Sequence, residues 1–391
     1  MTSCSTTYLT RIRYTCLGLA VSLLAGCSLP EPDGTEAAII EEVKNLPTLA
    51  SAKGRSASAV VRNGLLLDPN VRAAASTVSA SADEVRVQRA ALFPSLGLTF
   101  STGTGGPSAG ASKVDLTGRQ LVLDFGDTKR AVTSADLDLQ INYIAFQQAV
   151  DDATFDILQT YDSVLRYVLL LEVREKQVSV MRQLRTMVED RTRIGAASSS
   201  DNLEAQKRLQ AAEFLVLDTK LALAEARDRM SRLTGQPRGG RIPPVKIGAC
   251  SQKENSDEIQ KARLELAKAQ VDLVRADKAR LPRAYVSPIA RKQSGQSGIS
   301  LGVDIGVESD FFQGGALTAQ ANAARNARDS ANANVEATRR NAGLEAAALK
   351  REIAAAGQKA AMLKRQIALL VRTRELYRSQ YFDLGTRTIS E

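Results

Sequence analysis

Between Gly298 and Phe312 the sequence GISLGVDIGVESDFF sets Ile299, Leu301, Val303, Ile305 and Val307 in alternation with Ser300, Gly302, Asp304, Gly306 and Glu308. A period of two describes a β-strand with one apolar and one polar face. A strand's backbone N–H and C=O groups must be paired by neighbours, yet most of the surrounding chain reads as helix. Taken alone, the segment fits the half-buried edge of a soluble sandwich. Its placement in the chain decides otherwise.

The strand belongs to a series that occurs twice. A helical pattern covers 56–91, with Asp68-Pro69 as a helix-start signal inside it, and Phe93-Pro94 ends it. Leu96, Leu98 and Phe100 then alternate with small polar residues, 103–112 is a Gly/Ser-rich loop, and a second strand spans Val114 to Phe125. The parity of that strand slips near Gly118, which predicts a bulge or bend there. A helical pattern without proline runs from Gly126 to Ile194, about 70 residues and about 100 Å if unbroken. GAASSS at Gly195–Ser200 is a turn, and a return helix runs from Asp201 to Gly235.

After an irregular crossing segment the order repeats: a helix from Glu258, a weak strand over Tyr285–Ala290, a loop over Lys292–Ser297, the opening strand, and a second long helix from Ala316 to Leu384. Pro94 and Pro282, Phe125 and Phe312, and Gly195 and Gly385 are each displaced by about 188 residues, which marks an internal duplication. The return helix of the second copy is expected after Gly385, and only Thr386–Glu391 follow in the sequence. A helix as long as Ala316–Leu384 needs a partner to bury its apolar stripe.

Two copies supply four strands of about ten residues, a length that crosses a bilayer at a tilt. Four strands cannot do so alone, because lipid leaves their edges unpaired. Twelve strands from three chains is the simplest closed barrel with an open lumen. The fold class expected is therefore mainly α with a membrane β part: a duplicated unit of helix, strand hairpin and long helix, assembled as a trimer.

Composition excludes several other functions. No histidine is present, which removes His-based triads and imidazole metal sites, and aromatic residues make up 4% with no Trp. No catalytic residue, metal site or cofactor is expected. The formal net charge of +9 is spread along helices with acids interleaved, as in Glu172-Val173-Arg174-Glu175-Lys176, so nucleic acid is not a partner.

Arg11 and Arg13, the apolar run Leu17–Leu24 and then Ala25-Gly26-Cys27 form a secretory signal too short to span a bilayer. Leu24-Ala25-Gly26-Cys27 resembles the lipobox of bacterial lipoproteins, which implies acylation of Cys27 and, with Ser28 following, sorting to the outer membrane. The organisation expected is a signal peptide at 1–26, a lipid-anchored tether at 27–55, a first repeat at 56–250 and a second at 251–391. Cys250 reads as an inert loop thiol.

RAALFPSL at Arg89–Leu96, QLVLDFG at Gln120–Gly126, SRLTGQP at Ser231–Pro237 and YFDLGTRTISE at Tyr381–Glu391 resemble the TolC family of outer-membrane efflux and secretion ducts. The last motif is most similar to members that serve type I secretion. The resemblance implies a trimeric twelve-stranded β-barrel continued by a periplasmic α-helical barrel, opened by a membrane-fusion adaptor and an inner-membrane transporter, of the ABC type in type I secretion. It places adaptor docking at the elbows, with Gly195, Ser198, Gly385 and Thr388, and a gate at Asp201, Arg387 and Glu391. Ile299, Leu301, Val303, Ile305 and Val307 would face outer-membrane lipid. A periplasmic coiled-coil lipoprotein is the alternative of another class, and it has no use for the matched strand hairpins.

Overall fold

The computed structural model describes residues 34–45, 56–102, 112–235, 256–294, 297–310 and 312–382. In chain order these form α1 (Gly34–Asn45), α2 (Ala57–Leu67), α3 (Pro69–Ala90), β1 (Ser95–Thr102), β2 (Ser112–Leu123), α4 (Asp127–Arg193), α5 (Ser199–Thr234), α6 (Asp257–Lys278), β3 (Arg283–Gln293), β4 (Ser300–Glu308) and α7 (Ala316–Phe382). The duplication holds element by element. Helices α3 and α6 both have 22 residues, α4 and α7 both have 67, and α3/α6, β1/β3 and β2/β4 begin at 69/257, 95/283 and 112/300, each pair 188 apart.

The helical pattern over 56–91 divides at Asp68. Ser56 caps α2 by accepting from Ala59 N at 3.3 Å. The Asp68 carboxylate then accepts from Asn70 N at 2.7 Å and Val71 N at 3.1 Å, satisfying N–H groups that the first turn of α3 leaves without helical partners. Pro69, with its φ already suited to a helix, is the first residue of α3.

The chain forms two compact units. The first comprises residues 1–46, 73–146 and 257–335. It contains one four-stranded antiparallel sheet in the order β1-β2-β3-β4. Beside the sheet, α4 is tied to α3 through Asn142 Nδ2 and Ser81 Oγ at 2.7 Å, and to α6 through Ser134 Oγ and Asp272 Oδ1 at 3.0 Å and Lys268–Asp138 at 3.1 Å. Val78, Val85 and Leu139 are fully buried there. Within the segment expected as a tether, α1 buries Ile39 and Val43, and Glu42 accepts a hydrogen bond from the Tyr143 hydroxyl.

The second unit comprises residues 47–72, 147–256 and 336–391. Here α4 and α5 lie as an antiparallel hairpin, as the short turn requires. On α5 the seam residues Ala205, Leu209, Ala212, Val216, Thr219, Leu223, Ala226 and Met230 alternate spacings of four and three, the period of a coiled coil. They pack with Val60, Ile157, Tyr161, Val164 and Val178. Residues 336–382 of α7 belong to the same unit, and 349–372 are exposed throughout. Position 353 is equivalent to 164 by the end-to-end match of α7 with α4, yet Ile353 is 71% exposed and Val164 0%.

Three expectations for the strands are corrected. Strand β2 ends at Leu123 rather than Phe125, because Asp124 turns the chain: its carboxylate accepts from Gly126 N at 2.9 Å and Thr128 N at 2.6 Å, with Phe125 at φ 52°. The register shift against β3 falls between Leu121 and Leu123, not at Gly118. At Gly118 the ladder has a gap instead, since pairing runs to Thr117↔Ile289 and resumes at Gln120↔Val286. The ring of Pro288 fills that gap, and a Cβ on Gly118 would stand 2.8 Å from Pro288 Cγ. Finally, β3 extends to Arg283–Gln293, beyond Tyr285–Ala290, because the ladder continues at both ends, with Arg283 opposite Glu308 and Gln293 opposite Lys113.

Candidate functional site

Register sorts the strand residues into two faces. Leu98, Leu116, Ala290 and Leu301 lie side by side across all four strands. Leu96 lies opposite Gly118 and Pro288 opposite Val303, with Val286–Ile305 and Ala284–Val307 continuing the same face. Ile299 precedes the first residue of β4 and extends the face by one row. The five residues expected to face lipid are all bare: Ile299 is 64% exposed, Leu301 80%, Val303 66%, Ile305 77% and Val307 69%. Leu96, Leu98 and Phe100 on β1 are equally uncovered at 62%, 72% and 67%. Sandwich-edge strands would have this face buried, so the exposure overturns that reading of the isolated strand.

The opposite face is polar and paired. Asp115 stands 2.7 Å from Lys113 and 2.9 Å from Arg291 of β3. The Arg119 guanidinium lies 3.8 Å over the Tyr285 ring and 2.9 Å from Glu308, so one side chain of β2 reaches across β3 to β4. Strands β1 and β4 are the sheet's edges and have no second neighbour among the described residues. A bare apolar face with two open edges is stable in lipid only when other strands close the ring.

The first elbow is built by capping. Helix α4 ends at Arg193, Gly195 turns the chain at φ 74°, and Ala196 N donates to Arg191 O at 2.8 Å. That positive φ is what selects glycine, because no atom lies within 4 Å of where its Cβ would be. Ser198 and Asp201 then form a reciprocal capping box for α5: Asp201 N donates to Ser198 Oγ and Ser198 N to Asp201 Oδ2, both at 3.1 Å. Ser198 and Asp201 therefore hold the elbow's shape in addition to any role in docking or gating. Cys27, Gly385, Arg387, Thr388 and Glu391 lie outside the described residues.

A polar junction below the sheet is not among the candidate sites that the sequence motifs mark. Asp127 receives Arg275 at 3.2 Å and Arg283 at 3.1 Å. Beside it, burial pushes the Asp124 carboxyl up, but hydrogen bonds from Thr128 and Gly126 and the charge of Arg283 outweigh it, leaving Asp124 below the ordinary 3.8. The motif Asp124-Phe125-Gly126-Asp127 was the available signal, a side-chain acceptor just ahead of a helix. Asp124→Ala is expected to destabilise the chain by about 1 kcal/mol. Because the folded carboxyl is the stronger acid, its stabilisation is complete above pH 3.8 and lost as pH falls through the lower folded value. Thermal melts of wild type and variant should converge in that acid window.

Among the described residues no helix is long and apolar enough to cross a membrane, and no group of acidic or cysteine side chains could hold a metal ion. The described elements are thus an antiparallel sheet with one exposed apolar face and long helices, of which α4 forms a hairpin with α5. Residues 60–236 match the outer membrane efflux protein family, in agreement over that segment with the resemblance to TolC-type channels.

Solved structures agree on the fold. The outer membrane protein VceC of Vibrio cholerae superposes with a TM-score of 0.73 at 16% identity, over 85% of this chain and 87% of that one. A membrane protein of Pseudomonas aeruginosa gives 0.72 at 20% identity over 85% and 84%, and the Campylobacter jejuni outer membrane channel CmeC gives 0.69 at 14% over 85% and 78%. Comparison with curated proteins gives no match.

Proposed function

We propose that the chain is one protomer of a trimeric, passive exit duct in the outer membrane of a Gram-negative bacterium, anchored by lipid at Cys27 and extending into the periplasm. The observation that carries this reading is the four-stranded sheet with a bare apolar face and two open edges. A periplasmic spacer would leave that face without a use. The test is membrane fractionation with heat-modifiable migration on gels. Resistance to mild salt and a heat-sensitive oligomer are expected, and release by salt would sink the duct reading. Cys27→Ser should abolish acyl labelling.

In this reading the duct is opened at its periplasmic tip by a membrane-fusion adaptor that docks at the elbows, Gly195 and Ser198 in the first repeat and Gly385 and Thr388 in the second. An inner-membrane transporter supplies the energy. The closed tip is held by Arg387 against Asp201, whose Oδ1 is not used by the capping box. Exposed as it is, such a pair contributes about 1 kcal/mol or less, weak enough for an adaptor to break. Glu391 adds a ring of three carboxylates that favours cations. Arg387→Ser is expected to raise single-channel conductance in planar bilayers at constant trimer content, and unchanged conductance would dispose of the latch.

The motif at Tyr381–Glu391 supports type I protein secretion with an ABC-type transporter. The family's description as efflux proteins supports a second reading, small-molecule export. Deletion of the gene followed by assays of secreted protein and of drug susceptibility separates the two.

A further inference from the structure

Among the described residues the apolar face of the sheet carries one cation, and none of them pairs with it. Lys292 of β3 lies opposite Val114, in the row that includes Phe100 and Ile299, toward the strand-connecting loops and one row short of the Thr102–Ser112 pair. It is exposed, and among the described residues it has no ion pair. The nearby acid, Asp115, is on the other face and already sits between Lys113 and Arg291. The connecting segments, residues 103–111 and 294–298, contain no charged residue, so a neighbouring copy of the chain brings no acid to this rim either.

We propose that Lys292 binds the phosphate of an outer-leaflet lipid headgroup. The inference rests on the barrel reading above, in which helices mark the periplasmic side and the loops the exterior. A lysine stem can lie along Val114 and Ile299 while its ammonium reaches the interface. There the cost of a charge nearly vanishes, whereas at the midplane it would oppose insertion. An unpaired ammonium at that depth meets lipid phosphate as its available counter-ion. The remaining rows of the face, filled by Leu, Val, Ile, Ala and Pro side chains with Gln120 and, at the loop end, Thr102 and Ser112, offer no second cation.

The test uses the full chain reconstituted in phosphatidylcholine vesicles doped with lipid A, either phosphorylated or dephosphorylated. Lipid retained per oligomer after mild extraction is counted by native mass spectrometry. Wild type is expected to retain the phosphorylated form about fivefold better per site. Lys292→Gln should remove that preference and Lys292→Arg restore it, with equal amounts of inserted oligomer for all three. Equal retention of both lipids by wild type, retention unchanged in Lys292→Gln, or displacement of the lipid by inorganic phosphate at matched concentration would overturn the assignment. Failure of wild type to insert would overturn the barrel reading with it.

Discussion

Val303→Arg is expected to abolish appearance of the heat-modifiable oligomer in the outer membrane. Val303 lies at the middle row of the apolar face, opposite Pro288, with Ile299 and Leu301 on one side and Ile305 and Val307 on the other. It is 66% exposed, so the change creates no steric clash within the chain. In water the substitution is close to neutral. At a bilayer midplane an outward arginine costs about 2–4 kcal/mol, and a trimer carries three, about 6–12 kcal/mol in all. That rivals the whole stability of a typical folded domain. The adjacent change Asp304→Arg supplies the contrast: Asp304 pairs with Ser287 on the polar face, and the oligomer is expected at wild-type level. Equal insertion of both variants would show that the bare face does not meet lipid.

Tyr161→Ala is expected to destabilise the helical hairpin of the second unit by about 3–5 kcal/mol, read from chemical unfolding followed by the helical circular-dichroism signal. Tyr161 is 1% exposed and is the largest fully buried side chain of the chain's described residues. It packs in the cluster of Val60, Ile157, Val164, Leu223, Ala226 and Met230, where neighbours from α2, α4 and α5 cannot all collapse into the space its ring would vacate. Ile353→Ala, on the exposed stripe of α7, should shift stability by no more than about 0.5 kcal/mol. A large loss for Ile353→Ala in the isolated chain would mean that α7 has a covering partner there.

Alternation at 299–308 and the near-equal spacing of Pro94/Pro282 and Gly195/Gly385 are sufficient to read the strands, the long helices and the duplication. Those features are periodic over many residues, and a lipid-facing strand differs from a sandwich strand chiefly in what its neighbours leave uncovered. Single-residue devices were harder. In QLVLDFG the alternation of Leu121, Leu123 and Phe125 competes with the capping signal at Asp124, and the Thr128 N–H donating to its carboxylate decides for the cap. The sequence marks Gly118 as a disturbance of β2, but its cause is Pro288, 170 positions later in the chain and brought alongside only by strand pairing. The family resemblance implies a gate role for Asp201, and its engagement with Ser198 follows a capping-box pattern visible in the sequence once the helix start is placed at Ser199 rather than Asp201.

The sequence by itself determined the local periods: where the chain is helix, where it is strand, which residues of each strand share a face, and that the unit occurs twice. These follow from backbone geometry and hydrophobic spacing, which act over a few residues. Only the tertiary structure decided which face is left bare and how the repeats join. It pairs β2 of the first copy with β3 of the second and carries Arg119 over Tyr285 to Glu308. It also buries Val164 while leaving Ile353 exposed. Two copies of one pattern differ in this way because burial depends on what lies alongside in space, and spacing along a single chain does not contain that.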